Sequence, residues 1–152
     1  MEQVIAPADL IGTWKLVSVE LRYSDGDVRY PWGTHAKGHL LYSAEGYMSA
    51  VIASAERPLF ATEDVLTGSV EEQAQAARSY VSYGGPYELH GNEVTHHVEV
   101  SLFPNWVGQA QLRYIEALDN KQLILRSAPI LANGKQATGY LIWRRYASGS
   151  EN

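Results

Sequence analysis

His96-His97-Val98-Glu99 puts two imidazoles and a carboxylate within four consecutive positions, and imidazole is the side chain that ordinarily exchanges a proton near neutral pH. On a strand, successive side chains alternate. His97 and Glu99 then share a face with Thr95, Ser101 and Phe103, while His96 shares the other with Val94, Val98, Val100 and Leu102. The two imidazoles point the same way only if a bulge intervenes. If the apolar row faces inward, His96 is either a proton carrier or a core histidine with its hydrogen bonds satisfied. If the other row does, His97 is a base oriented by Glu99. Arg113 lies mid-strand with Gln111 and Ile115 on its face; turned inward it would anchor a carboxylate or enolate. Leu112 and Tyr114 could equally be the inward row, which would leave Arg113 in solvent. His96, His97, Glu99 and Arg113 form the candidate catalytic group.

A second set of residues could hold a ligand without transforming it. Asn105 and Trp106 sit in the connection Phe103-Pro104-Asn105-Trp106-Val107-Gly108, where an indole can cap a cavity and an amide can supply a hydrogen bond. Tyr80, Tyr83 and Tyr87 bracket Gly84-Gly85-Pro86 and could form a polar lid or pack a helix onto a sheet. Tyr42 and Trp143 are further candidate wall positions. His35 and His39 are four apart, a metal spacing only on a helix, and they flank Gly38 at a loop-to-strand junction; no metal site is expected.

Composition narrows the rest. The 152 residues suit one domain, expected over residues 1–147 with a tail at 148–152. No cysteine is present, which removes thiol nucleophiles, thiolate metal sites and disulfides. A net charge of −5 with scattered Lys and Arg argues against a nucleic-acid partner. With no signal-like N-terminus and no long apolar run, the expectation is a cytoplasmic chain that does not enter membranes. Nucleotide-binding glycine fingerprints, nucleophile elbows and zinc-protease helices are all missing from the sequence, so no cofactor is expected.

The elements that must position these side chains are mostly strands. GTWKLVSVELRY (Gly12 to Tyr23) alternates and ends at the turn Ser24-Asp25-Gly26-Asp27, with a short return at Val28 to Trp32. Gly38 to Ser43 and Tyr47 to Ala53 flank Ala44-Glu45-Gly46 as a second hairpin. Ser69 to Val81 is the one convincing helix, stopped by Gly84-Gly85-Pro86. A third hairpin pairs the segment after that stop with Glu93 to Phe103 across Gly91-Asn92, and strands follow at Gln109 to Leu118, Gln122 to Ser127 and Thr138 to Tyr146. Eight or nine antiparallel strands in up-and-down order, with one inserted helix, favour a closed barrel, because closure removes exposed edges. Such a barrel is wide enough for a filled core or one small ligand.

Gly12-Thr13-Trp14 behind Pro7-Ala8-Asp9-Leu10, together with Trp143-Arg144-Arg145 in the last strand, resembles the calycin pattern of lipocalins and fatty-acid-binding proteins. More closely, the chain resembles the bacterial and fungal lipocalin-like domain family. The matching segments are LIGTWKLVSVE, GHLLYSAEGYMSA, SYGGPYEL, THHVEVSLFPNWVG and QLRYIEALDNKQLIL, nearly the whole chain. The resemblance implies a barrel with a small internal cavity, a last-strand cation packed over Trp14 (Arg145, with Arg144 as the alternative), and a setting near secondary metabolism. The function expected is binding of a small hydrophobic or aromatic molecule. The alternative is a cofactor-independent isomerase, cyclase or lyase using the cavity His, Arg and Tyr groups. A homodimer through an exposed barrel end is also compatible with the pattern.

Overall fold

The computed structural model describes residues 4–147; the tail expected at 148–152 lies outside them. The chain runs α1 (Pro7–Leu10), β1 (Gly12–Tyr23), β2 (Val28–Arg29), β3 (Lys37–Tyr42), β4 (Tyr47–Ala53), α2 (Val70–Arg78) and β5 (Tyr80–His90). It continues through β6 (Glu93–His97), β7 (Val100–Ser101), a single 3₁₀ turn at Pro104–Trp106, β8 (Ala110–Leu118), β9 (Gln122–Ser127), β10 (Ile130–Ala132) and β11 (Lys135–Arg145). Eight strands, β1, β3, β4, β5, β6, β8, β9 and β11, pair antiparallel in that order. β11 returns to β1 from Trp14↔Arg145 to Tyr23↔Ala137 and closes the barrel. The short β2, β7 and β10 attach outside this cycle.

The turns do what their residues dictate. Asn133 and Gly134 both adopt positive φ (52° and 78°), the backbone that a tight Asn-Gly hairpin turn needs to match strand twist. Alternation of buried and exposed residues then fills the barrel from one face of each strand, as in Leu40 and Tyr42 on β3 or Met48, Ala50 and Ile52 on β4. Two bulges reset the alternation: β1 shifts register between Leu16 and Ser18, and β8 between Ile115 and Ala117. Each leaves one extra residue, Val17 or Glu116, outside the pairing.

Three expectations need correction. The helix ends sooner than its spacing suggested: Ser69 caps it by accepting from the Glu72 N–H at 3.0 Å while Glu72 bonds back to Ser69 N, but Tyr80 and Val81 already belong to β5. Gly84-Gly85-Pro86 therefore stops nothing and lies inside a strand. Gly85 is needed there because a Cβ on it would sit 1.8 Å from the His97 carbonyl oxygen.

The third correction concerns the run from Glu93 to Phe103, which is two strands. β6 pairs with β5 at Tyr87↔His96, the backbone then crosses over Gly85, and β7 resumes at Gly84↔Val100. Val94, His96 and Val98 are buried as the apolar row requires, but Val100 is 63% exposed and Leu102 is also exposed.

Candidate binding site in the barrel interior

The barrel encloses a cavity of about 430 Å³. Its walls are largely apolar, with Val19, Leu21, Leu125 and Leu141 among them, and its mouth is framed by Trp32, Phe103, Trp106 and Leu131. Polar groups converge on one side: Tyr83, His96, Gln111, Arg113 and Ser127. A cavity of a few hundred Å³ with apolar walls and a few placed polar groups is the usual form of a small-molecule site. A wider depression of about 580 Å³ lies outside the barrel against α2, open to solvent. Its charged residue, Arg57, is engaged by Ser79 Oγ at 3.0 Å and by the Ala76 carbonyl at 3.1 Å.

His96 is the centre of the polar side. Only 1% exposed, it lies between two phenols: the Tyr42 hydroxyl is 2.6 Å from Nε2 and the Tyr83 hydroxyl 2.8 Å from Nδ1. The three residues come from β3, β5 and β6, so barrel curvature, rather than any local motif, assembles them. Burial holds His96 well below the ordinary imidazole pKa, with the Arg113 charge and then His97 adding to the effect. Burial likewise pushes both phenols up, Tyr42 furthest; at Tyr83 the Arg113 guanidinium opposes the rise. His96 is thus a neutral imidazole with both ring nitrogens engaged.

Arg113 faces inward with Gln111, which settles the two open parities of β8. Its guanidinium donates to the Leu112 carbonyl at 3.0 Å and toward Gln111 Oε1 at 3.4 Å. Among the described residues it has no carboxylate partner, and no Asp or Glu lines the cavity. Trp143, 1% exposed, forms part of the wall, and its Nε1–H is buried with no hydrogen-bond partner among the described residues.

Several expected site residues fall elsewhere. His97 points outward, where Nε2 meets Glu88 Oε1 at 2.7 Å, and Glu99 accepts from the Tyr47 hydroxyl at 2.9 Å on the exposed surface. Alternation with the inward His96 turns His97 out, and Glu99 lies on the surface with it, so the base-plus-carboxylate version of the site is not formed. Asn105 is exposed on the 3₁₀ turn that presents Trp106, with its amide away from the cavity wall. Tyr87 packs edge-on against Tyr42, ring centres 4.7 Å apart, and spends its hydroxyl on the Ser43 carbonyl at 2.9 Å. It braces the Tyr42–His96 pair instead of lining the cavity. Tyr42 stands behind His96, also outside the wall.

Trp32, Ser127 and Leu131 line the cavity without having been singled out by sequence. Trp32 carried one usable signal, an aromatic following a proline in a connection, the same context as Trp106. Away from the cavity, the Arg145 guanidinium lies 4.1 Å from the Trp14 ring and donates to the carbonyls of Ile11 (3.0 Å) and Asp9 (2.6 Å). Trp14 Nε1 in turn donates to Leu10 O at 2.9 Å, so α1 is tied to the first and last strands. Among the described residues no group of three His, Asp or Glu side chains gathers to hold a metal ion, and no helix is long and apolar enough to cross a membrane.

Comparison with solved structures returns a redesigned β barrel that covers 97% of this chain and 100% of its own, at 13% identity with a TM-score of 0.45. Among curated proteins, a 4'-hydroxy-3'-methoxypropiophenone carrier protein of Aspergillus oryzae is 29% identical over 106 residues, 64% of this chain and 96% of that protein. A closed eight-stranded barrel with a cavity, a cation packed over the first-strand Trp, and a match to the lipocalin-like domain model over residues 11–146 agree: the chain belongs to the lipocalin-like domain family.

Proposed function

We propose that this protein is a carrier or sensor that holds one compact aromatic molecule inside the barrel. The observation that carries the reading is the enclosed cavity of about 430 Å³, apolar on most sides and polar at Tyr83, His96 and Arg113. Membership of the family and the carrier relative support small-molecule binding in general. The aromatic class follows from the wall. Trp32, Phe103 and Trp106 offer ring faces and edges at the mouth, Trp106 meeting Tyr83 edge-on with ring centres 5.5 Å apart. Arg113, without a carboxylate partner, gives the ligand's polar end a positive counterpart.

Turnover as an isomerase, cyclase or lyase is not favoured. His97 and Glu99, which one version of that chemistry needs, lie outside the cavity, and His96 has both nitrogens committed to phenols. The test is calorimetric titration with propiophenones bearing ring hydroxyl and methoxy groups. One molecule is expected to bind per chain, and Ala50→Phe, which fills the cavity from β4, is expected to abolish binding while the barrel still folds. Undiminished binding in Ala50→Phe would move the site out of the barrel.

A further inference from the structure

The hydrogen-bond inventory of the cavity is one-sided, and the asymmetry begins at Tyr42. Its hydroxyl is buried, and its one hydrogen-bond partner among the described residues is His96 Nε2. A neutral imidazole has one donor nitrogen and one acceptor nitrogen, so two arrangements are possible. If Nε2 carried the proton, it would donate to Tyr42, and the Tyr42 O–H would be left buried without an acceptor. If Nδ1 carries it, Tyr42 donates to Nε2, Nδ1–H donates to the Tyr83 oxygen, and every group behind the wall is paired. Leaving a buried donor unmade is the costlier choice, so the second arrangement holds.

Tyr83 then accepts from His96 and keeps its own O–H for the cavity. Arg113 beside it cannot take that proton, because a guanidinium has no acceptor. The other polar wall groups agree. Ser127 Oγ is spent, accepting from Gly139 N and donating to Ala128 O, both at 2.8 Å. Gln111 turns its oxygen toward Arg113, which leaves its amide N–H groups.

We infer that the cavity selects ligands that carry a hydrogen-bond acceptor, a carbonyl or an oxyanion, at their polar end, with Tyr42 and His96 as positioning residues that fix Tyr83 as the donor. The inference rests on the carrier reading and sharpens it: the site distinguishes an aryl ketone from an apolar molecule of the same shape, and rejects one whose polar end only donates.

Two measurements test it. Long-range proton–nitrogen NMR of the nitrogen-15-labelled protein without ligand reads the tautomer directly: Nδ1 is expected to be protonated in the wild type and the two tautomers to mix in Tyr42→Phe. A wild-type signal from Nε2–H would overturn the inference. Calorimetry then compares acetophenone, its isostere α-methylstyrene and the donor-only benzamidinium. The ketone is expected to bind about three- to tenfold more tightly than the alkene, the range of one net hydrogen bond, and benzamidinium not measurably. Tyr83→Phe is expected to cut the ketone's advantage over the alkene, with Arg113 and Gln111 supplying what is left, and Tyr42→Phe to cut it by less; an undiminished ratio in Tyr83→Phe would overturn the inference. Equal wild-type binding of ketone and alkene would overturn the selectivity while leaving the carrier reading intact. Failure of all compact aromatic probes would overturn both.

Discussion

Protonating His96 would bury a charge away from water and set it beside Arg113 in a wall with no carboxylate, so the folded chain resists a proton that the unfolded chain accepts. Where the unfolded state binds more protons, stability rises with pH. The contribution is therefore fully present above the ordinary imidazole pKa of about 6.5. It falls as pH drops below that value, by up to about 1.4 kcal/mol per pH unit, until the folded-state pKa is reached. Denaturant melts of wild type and His96→Gln between pH 7.5 and 4.5 should show the steeper acid-side loss in the wild type; parallel curves would refute the assignment. Arg113→Gln removes one cause of the depression and should shrink the loss. None of this was legible in the sequence beyond the choice of residues. Alternation assigned His96 to the face with Val94 and Val98, but Tyr42 lies 54 positions away, and only the closed barrel brings the two hydroxyls onto one ring.

At the scale of elements, turn chemistry was the most readable feature, because Asn-Gly and Glu-Gly sequences have few backbone conformations to choose from. Strand β9 and the second hairpin stand where their residues put them. The errors arose where backbone meets backbone. Gly84-Gly85 reads as a helix stop when only the chain's own neighbours are considered, whereas its cause is the His97 carbonyl, which no local pattern reveals. Gly85→Ala should therefore cost more than about 3 kcal/mol or prevent folding, well beyond the usual 0.5 to 1 kcal/mol scale of a glycine-to-alanine change. A chemical-denaturation midpoint within error of wild type would show that the crossing can shift. Bulges cause the same kind of blindness on β1 and β8, where one inserted residue flips the face of everything beyond it.

For the whole molecule, closure by β11 on β1 is what makes a cavity possible, and the clamp of Arg145 over Trp14 ties that seam to α1. Arg145→Met keeps much of the side-chain bulk but loses the charge and the bonds to Asp9 and Ile11, and should lower stability by about 1–3 kcal/mol in thermal melts. Ligand acts on the same equilibrium: an acceptor-bearing aryl ketone at 100 times its dissociation constant should add about 2.7 kcal/mol to the unfolding free energy and raise Tm, with no gain in Ala50→Phe.

Three of the four indoles, Trp32, Trp106 and Trp143, stand in the cavity wall, while Trp14 lies outside it beneath Arg145. The protein therefore carries its own optical gauge. A guest that absorbs in the near ultraviolet would dim the emission of the three wall indoles most and that of Trp14, outside the wall, less, so the fraction of light lost reads occupancy without any added label. Trp143 reports from deep in the wall and Trp32 and Trp106 from the rim, so replacing each in turn by phenylalanine would resolve how far a guest has travelled as well as whether it has arrived.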